Sequence, residues 1–159
     1  MSARRTTIVV NKIISGGQTG VDRAALDVAI RLGIAHGGWC PRGRRAEDGR
    51  IPDRYRLLEH ASPRYAARTE ANVLDSNGTL ILTRGAVAGG TELTRQAADR
   101  LNKPLFVADV AAGPQIAAVR AWLARHAIEV LNVAGPRETQ QPGIHADAMR
   151  FLAELLSGA

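Results

Sequence analysis

Two rhythms of apolar residues alternate along this chain: short β-branched or aliphatic runs, and longer stretches where apolar positions return at helical spacing. The first run, Ile8-Val9-Val10 and Ile13-Ile14 around the polar pair Asn11-Lys12, predicts a strand over about residues 7–15. Val21, Ala24, Ala25, Val28, Ala29 and Leu32 then recur at helical spacing and stop at Gly33, which predicts a helix closed by a C-terminal glycine. A short strand is expected near 36–39, a helix over 65–74, a fully buried strand over 79–83 and a helix over 91–101. The same grammar continues with a strand at 104–107, a helix at 114–126, a strand at 129–133 and a closing helix at 144–156.

Strand and helix alternating in this way predict an α/β fold, a Rossmann-like three-layer sandwich with a mostly parallel sheet of about five strands. The turns that follow the strands then gather on one sheet edge. No repeat, low-complexity run or linker interrupts the pattern, so residues 1–159 are expected to form one ligand-binding domain, with 1–6 disordered. The exception is the stretch 40–52, rich in Gly and Arg, which reads as a long loop of the kind that usually carries function.

Composition narrows the class. Aromatic residues make up 4% of the chain against 45% hydrophobic, so the core rests on Ala, Val, Ile and Leu. The single cysteine, Cys40, excludes an internal disulfide and a cysteine-rich zinc site. No early apolar run approaches the length of a signal core or a membrane span, and a cytoplasmic protein without a membrane partner is expected. The net charge of +6 raises the question of nucleic acid. The basic stretch 42–56, however, also holds Glu47, Asp48 and Asp53 and only one aromatic, Tyr55. That mixture fits a small phosphorylated partner better than a polyanion, and no nucleic acid is expected.

The chemistry gathers at the turns. In Ser15-Gly16-Gly17-Gln18-Thr19-Gly20 the glycines free the backbone and the turn leads straight into a helix, so several N–H groups can face an anion. Thr19 offers a hydroxyl, while Asp22 either caps the helix or binds a ribose hydroxyl or a metal. The turn matches neither the dinucleotide pattern G-x-G-x-x-G nor the Walker pattern, which argues against an ordinary NAD enzyme or ATPase. A second glycine-rich turn, running from Gly85 to Gly89-Gly90-Thr91-Glu92, has the same place between strand and helix. Two such turns on one sheet edge predict a phosphate or nucleotide site.

Three further features join them. Asn132 stands at the end of the strand at 129–133, where a buried amide must find a partner, and Arg137 follows that strand, where an arginine can clamp an anion. Trp39 offers a stacking face, and Arg42, Arg44 or Arg45 a phosphate clamp, or else a solvated loop surface. Tyr65, Arg68, Thr69 and Asn72 at i, i+3, i+4 and i+7 form a polar stripe expected to face the cleft. His36, His60, His126 and His145 show no metal-ligand spacing, and no residue is marked as an activated nucleophile, so neither a metal site nor a catalytic residue is assigned.

Three segments, Ile14 to Asp27, Gly38 to Gly49 and Leu131 to Glu138, resemble in order the molybdenum carrier family, with Arg68-Thr69 and Asn72 between them. The resemblance runs from about Lys12 to Leu156 and places the chain near the circularly permuted YpsA-like branch of the SLOG, or lysine decarboxylase-like, Rossmann superfamily. It implies a homo-oligomer, dimer or tetramer, that carries or stores molybdenum cofactor (molybdopterin), a phosphorylated pterin, or otherwise a nucleotide. The wider superfamily implies two alternatives, a nucleotide sensor or an enzyme that hydrolyses nucleoside 5′-monophosphates through P-G-G-x-G-T-x-x-E. Here Thr94 stands where that glutamate is expected, and Glu92 lies about 200° around the helix from it, so binding is expected rather than catalysis.

Overall fold

The computed structural model describes residues 10–87, 89–111 and 115–157. The expectations for 1–6, for residues 7–9 of the first strand, and for Ala88 and Pro114 fall outside them. Within them the chain runs β1 (Lys12–Ile14), α1 (Val21–Leu32), β2 (Ala35–Gly37), β3 (Trp39–Cys40), β4 (Arg45–Ala46), β5 (Gly49–Arg50) and β6 (Leu58–Glu59). It continues through α2 (Tyr65–Asp75), β7 (Gly78–Thr83), α3 (Gly90–Arg100), β8 (Leu105–Asp109), α4 (Ile116–Arg125), β9 (Val130–Ala134) and α5 (Ile144–Ser157).

Five strands form one parallel sheet in the order β2-β1-β9-β7-β8. Because a parallel sheet is covered on both faces, its strands lack alternation, and all six residues of β7 are buried. Helices α1 and α4 each pack on α5, and α2 packs on α3, so the sheet carries two helical layers. Ile13, Val28, Leu80, Leu82, Leu131, Val133, Ile144 and Leu152, none more than 0% exposed, weld the first layer to the sheet. Each such side chain contributes roughly 1.5–3 kcal/mol of burial. Gly33 ends α1 in the left-handed conformation, φ 71°, and donates its N–H to Ile30 O.

The expected loop at 40–52 is instead an ordered strap. Strands β4 and β5 pair antiparallel, β3 pairs parallel with β6, and a separate cluster of Leu26, Cys40, Ile51, Tyr55 and Leu57 lies beneath. The guanidinium of Arg44, 8% exposed, donates to the carbonyls of Ile51, Pro52 and Tyr55 at 3.0, 2.8 and 2.8 Å. A charged residue thus serves as the strap's core, a role that composition alone does not reveal.

Candidate functional site

Chains that leave β1 and β9 enter helices of one layer, whereas the chain leaving β7 enters α3 in the other. The crevice opened by that divergence is the expected ligand position in an open α/β sheet. A cavity of about 260 Å³ occupies it. Gln18 from the β1 turn and Asp22 from the start of α1 line it, with Gly135 and Arg137 from the segment after β9, Gly90, Thr91, Leu93 and Thr94 from α3, and Tyr65, Arg68 and Thr69 from α2. Its volume lies just under that of drug-sized pockets, which suits a compact ligand head and not a whole dinucleotide.

The first glycine turn does close on an anion, and the anion is its own. Gln18 N–H donates to Asp22 Oδ2 at 3.3 Å, Thr19 N–H to Gln18 Oε1 at 3.1 Å, Gly17 N–H to Ser15 Oγ at 3.4 Å and Val21 N–H to Pro136 O at 3.2 Å. Asp22 therefore does not cap α1 through its side chain; it folds back onto the turn. Thr19 points its hydroxyl at Glu47 of the strap, which also accepts from Thr139. Glu47 ties the strap, the β1 turn and the segment after β9 into one wall. Desolvation would raise its carboxyl, but the Thr139 and Thr19 hydrogen bonds outweigh it and the pKa is lowered.

The second glycine turn is chemically different. Helix α3 begins at Gly90 with no side-chain hydrogen bond capping it among the described residues, and Gly90 and Thr91 of its first turn, at the positive end of its dipole, line the cavity. Arg137 and Arg68 flank that end. Between them stands Tyr65, with the two guanidinium carbons 5.6 and 5.5 Å from its ring centroid. Arg68 lies 3.6 Å from Asp22 Oδ2 through Nη1, and its buried Nε has no partner among the described residues. Burial pushes the Asp22 carboxyl up to about 6, against the opposing pull of Arg68 and of the Gln18 N–H.

Of the residues singled out in the sequence, Gln18, Asp22, Arg68, Gly90, Thr91 and Arg137 come together here. Gly16 lies against Arg68, and Gly17 and Gly20 hold the turn with φ of 79° and 81°. Gly89 is the residue before α3. Others stand outside the cavity wall. Trp39 donates its indole N–H to Asp75 at 2.8 Å, Arg42 is exposed on the strap, and Asn132 donates to Thr79 Oγ1 at 3.2 Å inside the sheet. Glu92 turns away and pairs with Arg95 at 3.7 Å, while Thr94, four residues into α3, lines the cavity. Three of the four polar stripe residues of α2 reach the cavity; the fourth, Asn72, bonds the Trp39 backbone in both directions at 2.7 and 3.0 Å. Leu93 and Gln140 enter the wall without any signal in their local sequence, since only the fold juxtaposes them.

Comparison with known proteins agrees with this architecture. The circularly permutated YpsA SLOG family matches residues 13–156. A crystal structure from Syntrophus aciditrophicus SB, described as "Putative molybdenum carrier protein", is similar over 93% of this chain and 96% of its own, at 46% identity and a TM-score of 0.90. No curated protein matches.

Proposed function

Because the chain belongs to the circularly permutated YpsA SLOG family, we propose that its cavity binds a small phosphorylated ligand, with molybdenum cofactor the favoured cargo. The observation that carries this reading is the uncapped N-terminus of α3, flanked by Arg137 and Arg68 at the divergence of the sheet. Backbone N–H groups and a helix dipole receive a terminal phosphate there, and a guanidinium adds charge-assisted hydrogen bonds. The choice of cargo draws on the name of the Syntrophus relative. Among the described residues no group of three or more His, Cys, Asp or Glu side chains gathers to hold a metal, so in this reading the cargo is gripped by its phosphate and its ring.

A nucleoside monophosphate hydrolase is less well supported. Thr94 lines the cavity where that reading needs a glutamate, and its hydroxyl turns to Gly90 O at 3.5 Å. Purified protein incubated with molybdenum cofactor and passed through gel filtration tests the proposal. Co-elution that excess inorganic phosphate abolishes is the expected result; cofactor eluting entirely apart from the protein would overturn it.

A further inference from the structure

Strand β8 ends the sheet: β7 pairs with it on one side and, among the described residues, no strand pairs with it on the other. The ladder fixes which way each of its backbone groups points. Thr79 N–H donates to Pro104 O at 3.0 Å and Val110 N–H to Thr83 O at 2.9 Å, so residues 104, 106, 108 and 110 turn their backbone groups toward β7. Alternate residues of a strand face alternate neighbours, so Leu105, Val107 and Asp109 present theirs to the outside. The Asp109 N–H is taken by Gln115 Oε1 at 2.9 Å and, before the strand begins, the Lys103 N–H is taken by Ala98 O at 2.9 Å. A short window is left between them, made of the N–H and C=O of Leu105 and of Val107, with no partner among the described residues.

Nothing blunts this window. Natural edge strands are protected by proline, charged side chains or a bulge. Between Pro104 and Asp109 the strand reads Leu-Phe-Val-Ala, keeps an unbroken register with β7 and leaves Val107 39% exposed. A groove of about 390 Å³ adjoins it, lined by Lys103 and Leu105 and, from α3, by Glu92, Arg95, Gln96 and Asp99. Two acids and two bases balance there, although the whole chain carries a net charge of +6. The groove therefore offers no surplus charge to an acidic or a basic partner, and two copies of it can meet without repulsion.

The window is also symmetric about Phe106. Turned end for end, it sets Leu105 against Val107 and Val107 against Leu105, and its flanks exchange Lys103 for Asp109. A second β8 running antiparallel, on a two-fold axis at Phe106, satisfies every free group of both edges and brings each Lys103 opposite the partner's Asp109. An unrelated extended peptide could use the same groups but would gain nothing from that symmetry. We propose that β8 pairs in this way with β8 of a second copy of the chain, joining two five-stranded sheets into one continuous sheet. None of the residues lining the groove lines the binding cavity, so the pairing stands apart from whatever the cavity holds.

Sedimentation velocity over a dilution series, read beside amide exchange of single residues, tests it. A dimer is expected at high concentration, with the Leu105 and Val107 amides slowing about tenfold or more as it forms. Val107→Pro removes an N–H that faces away from β7, a position where an edge strand tolerates proline, and should weaken dimerisation about tenfold or more. Val107→Lys, which charges the edge, should do the same. A chain that stays monomeric at every concentration overturns the proposal. So does a dimer whose dissociation constant neither variant moves, or in which the two amides exchange as freely as in the monomer, because the copies then meet elsewhere. Protection of both amides in a dilute monomer overturns it too, since the chain then covers its own edge. If Val107→Pro does not fold, Val107→Lys and the wild-type exchange series decide.

Discussion

The guanidinium of Arg68 stands where a side chain on Gly16 would be: a Cβ there falls 1.7 Å from Nη1 and 2.6 Å from Cζ. Gly16 is thus the floor on which the cavity's arginine lies. Gly20 is constrained differently, because its φ is 81° and a Cβ would fall 2.3 Å from the carbonyl oxygen of Pro136. One glycine admits a side chain's tip, and the other admits a backbone.

These two roles predict opposite outcomes for one substitution. Gly16→Ala should cost only about 1 kcal/mol of stability, since the obstructing group is the end of a flexible side chain that can swing away. It should nevertheless weaken phosphate-competable binding about tenfold. Gly20→Ala should cost roughly 3 kcal/mol or more, because neither its φ nor the Pro136 backbone can yield cheaply. Urea unfolding and ligand titration of both variants check this, and a Gly16→Ala protein that binds like wild type would refute the role given to Arg68.

Arg137 and Arg42, both singled out from sequence, should separate cleanly. Arg137→Ala removes a charge-assisted partner of the phosphate and should weaken binding by about 1.5–3 kcal/mol, roughly tenfold to a hundredfold. Arg42→Ala, at an exposed strap position, should leave both binding and thermal stability within about 0.5 kcal/mol. Calorimetric titration with a nucleotide or pterin phosphate distinguishes them.

Arg44 should behave as a core residue in spite of its charge. Arg44→Met abandons the carbonyls of Ile51, Pro52 and Tyr55 and should destabilise the protein by about 3 kcal/mol. Amide exchange should rise first between residues 41 and 57, measured by hydrogen–deuterium exchange mass spectrometry.

Asp22 gives stability an unusual pH dependence. Its folded pKa of about 6 lies above the ordinary 3.8, so the fold binds this proton more readily than the unfolded chain does. The resulting stabilisation is fully present below the unfolded value and is lost as pH rises through about 6. Relative to Asp22→Asn, the wild-type protein should therefore gain roughly 1.5 kcal/mol between about pH 7.5 and about pH 5, a few degrees in Tm. Parallel melting curves across that range would contradict the assignment.

Periodicity made most of the sheet and its helices legible. The α1 boundaries and its Gly33 stop follow directly from the spacing of apolar residues, and β7 reads as a buried run because both its faces are covered. The strap was not legible as structure, because an arginine satisfied by backbone carbonyls has the same local sequence as one in solvent. The cavity was half legible. Glycines mark where backbones crowd, but not whether the freed N–H groups await a ligand or close on a neighbouring carboxylate, as at Asp22. Trp39 illustrates the same limit: an indole beside an arginine-rich segment resembles a stacking surface, and only tertiary contact shows its N–H committed to Asp75.

The place of β9 bears on how the molecule comes into being. It is the latest-made strand of the sheet, yet it lies between β1 and β7, which do not pair with each other. On a ribosome the pairs β1–β2 and β7–β8 emerge as two separate ribbons, each with an open inner edge, and they join only when β9 slides between them. Assembly is thus deferred until β9 has been made, and slow, long-range closure is the expected kinetic signature. The binding crevice arises in the same late event, so a nascent chain has no cavity to fill before its sheet is whole.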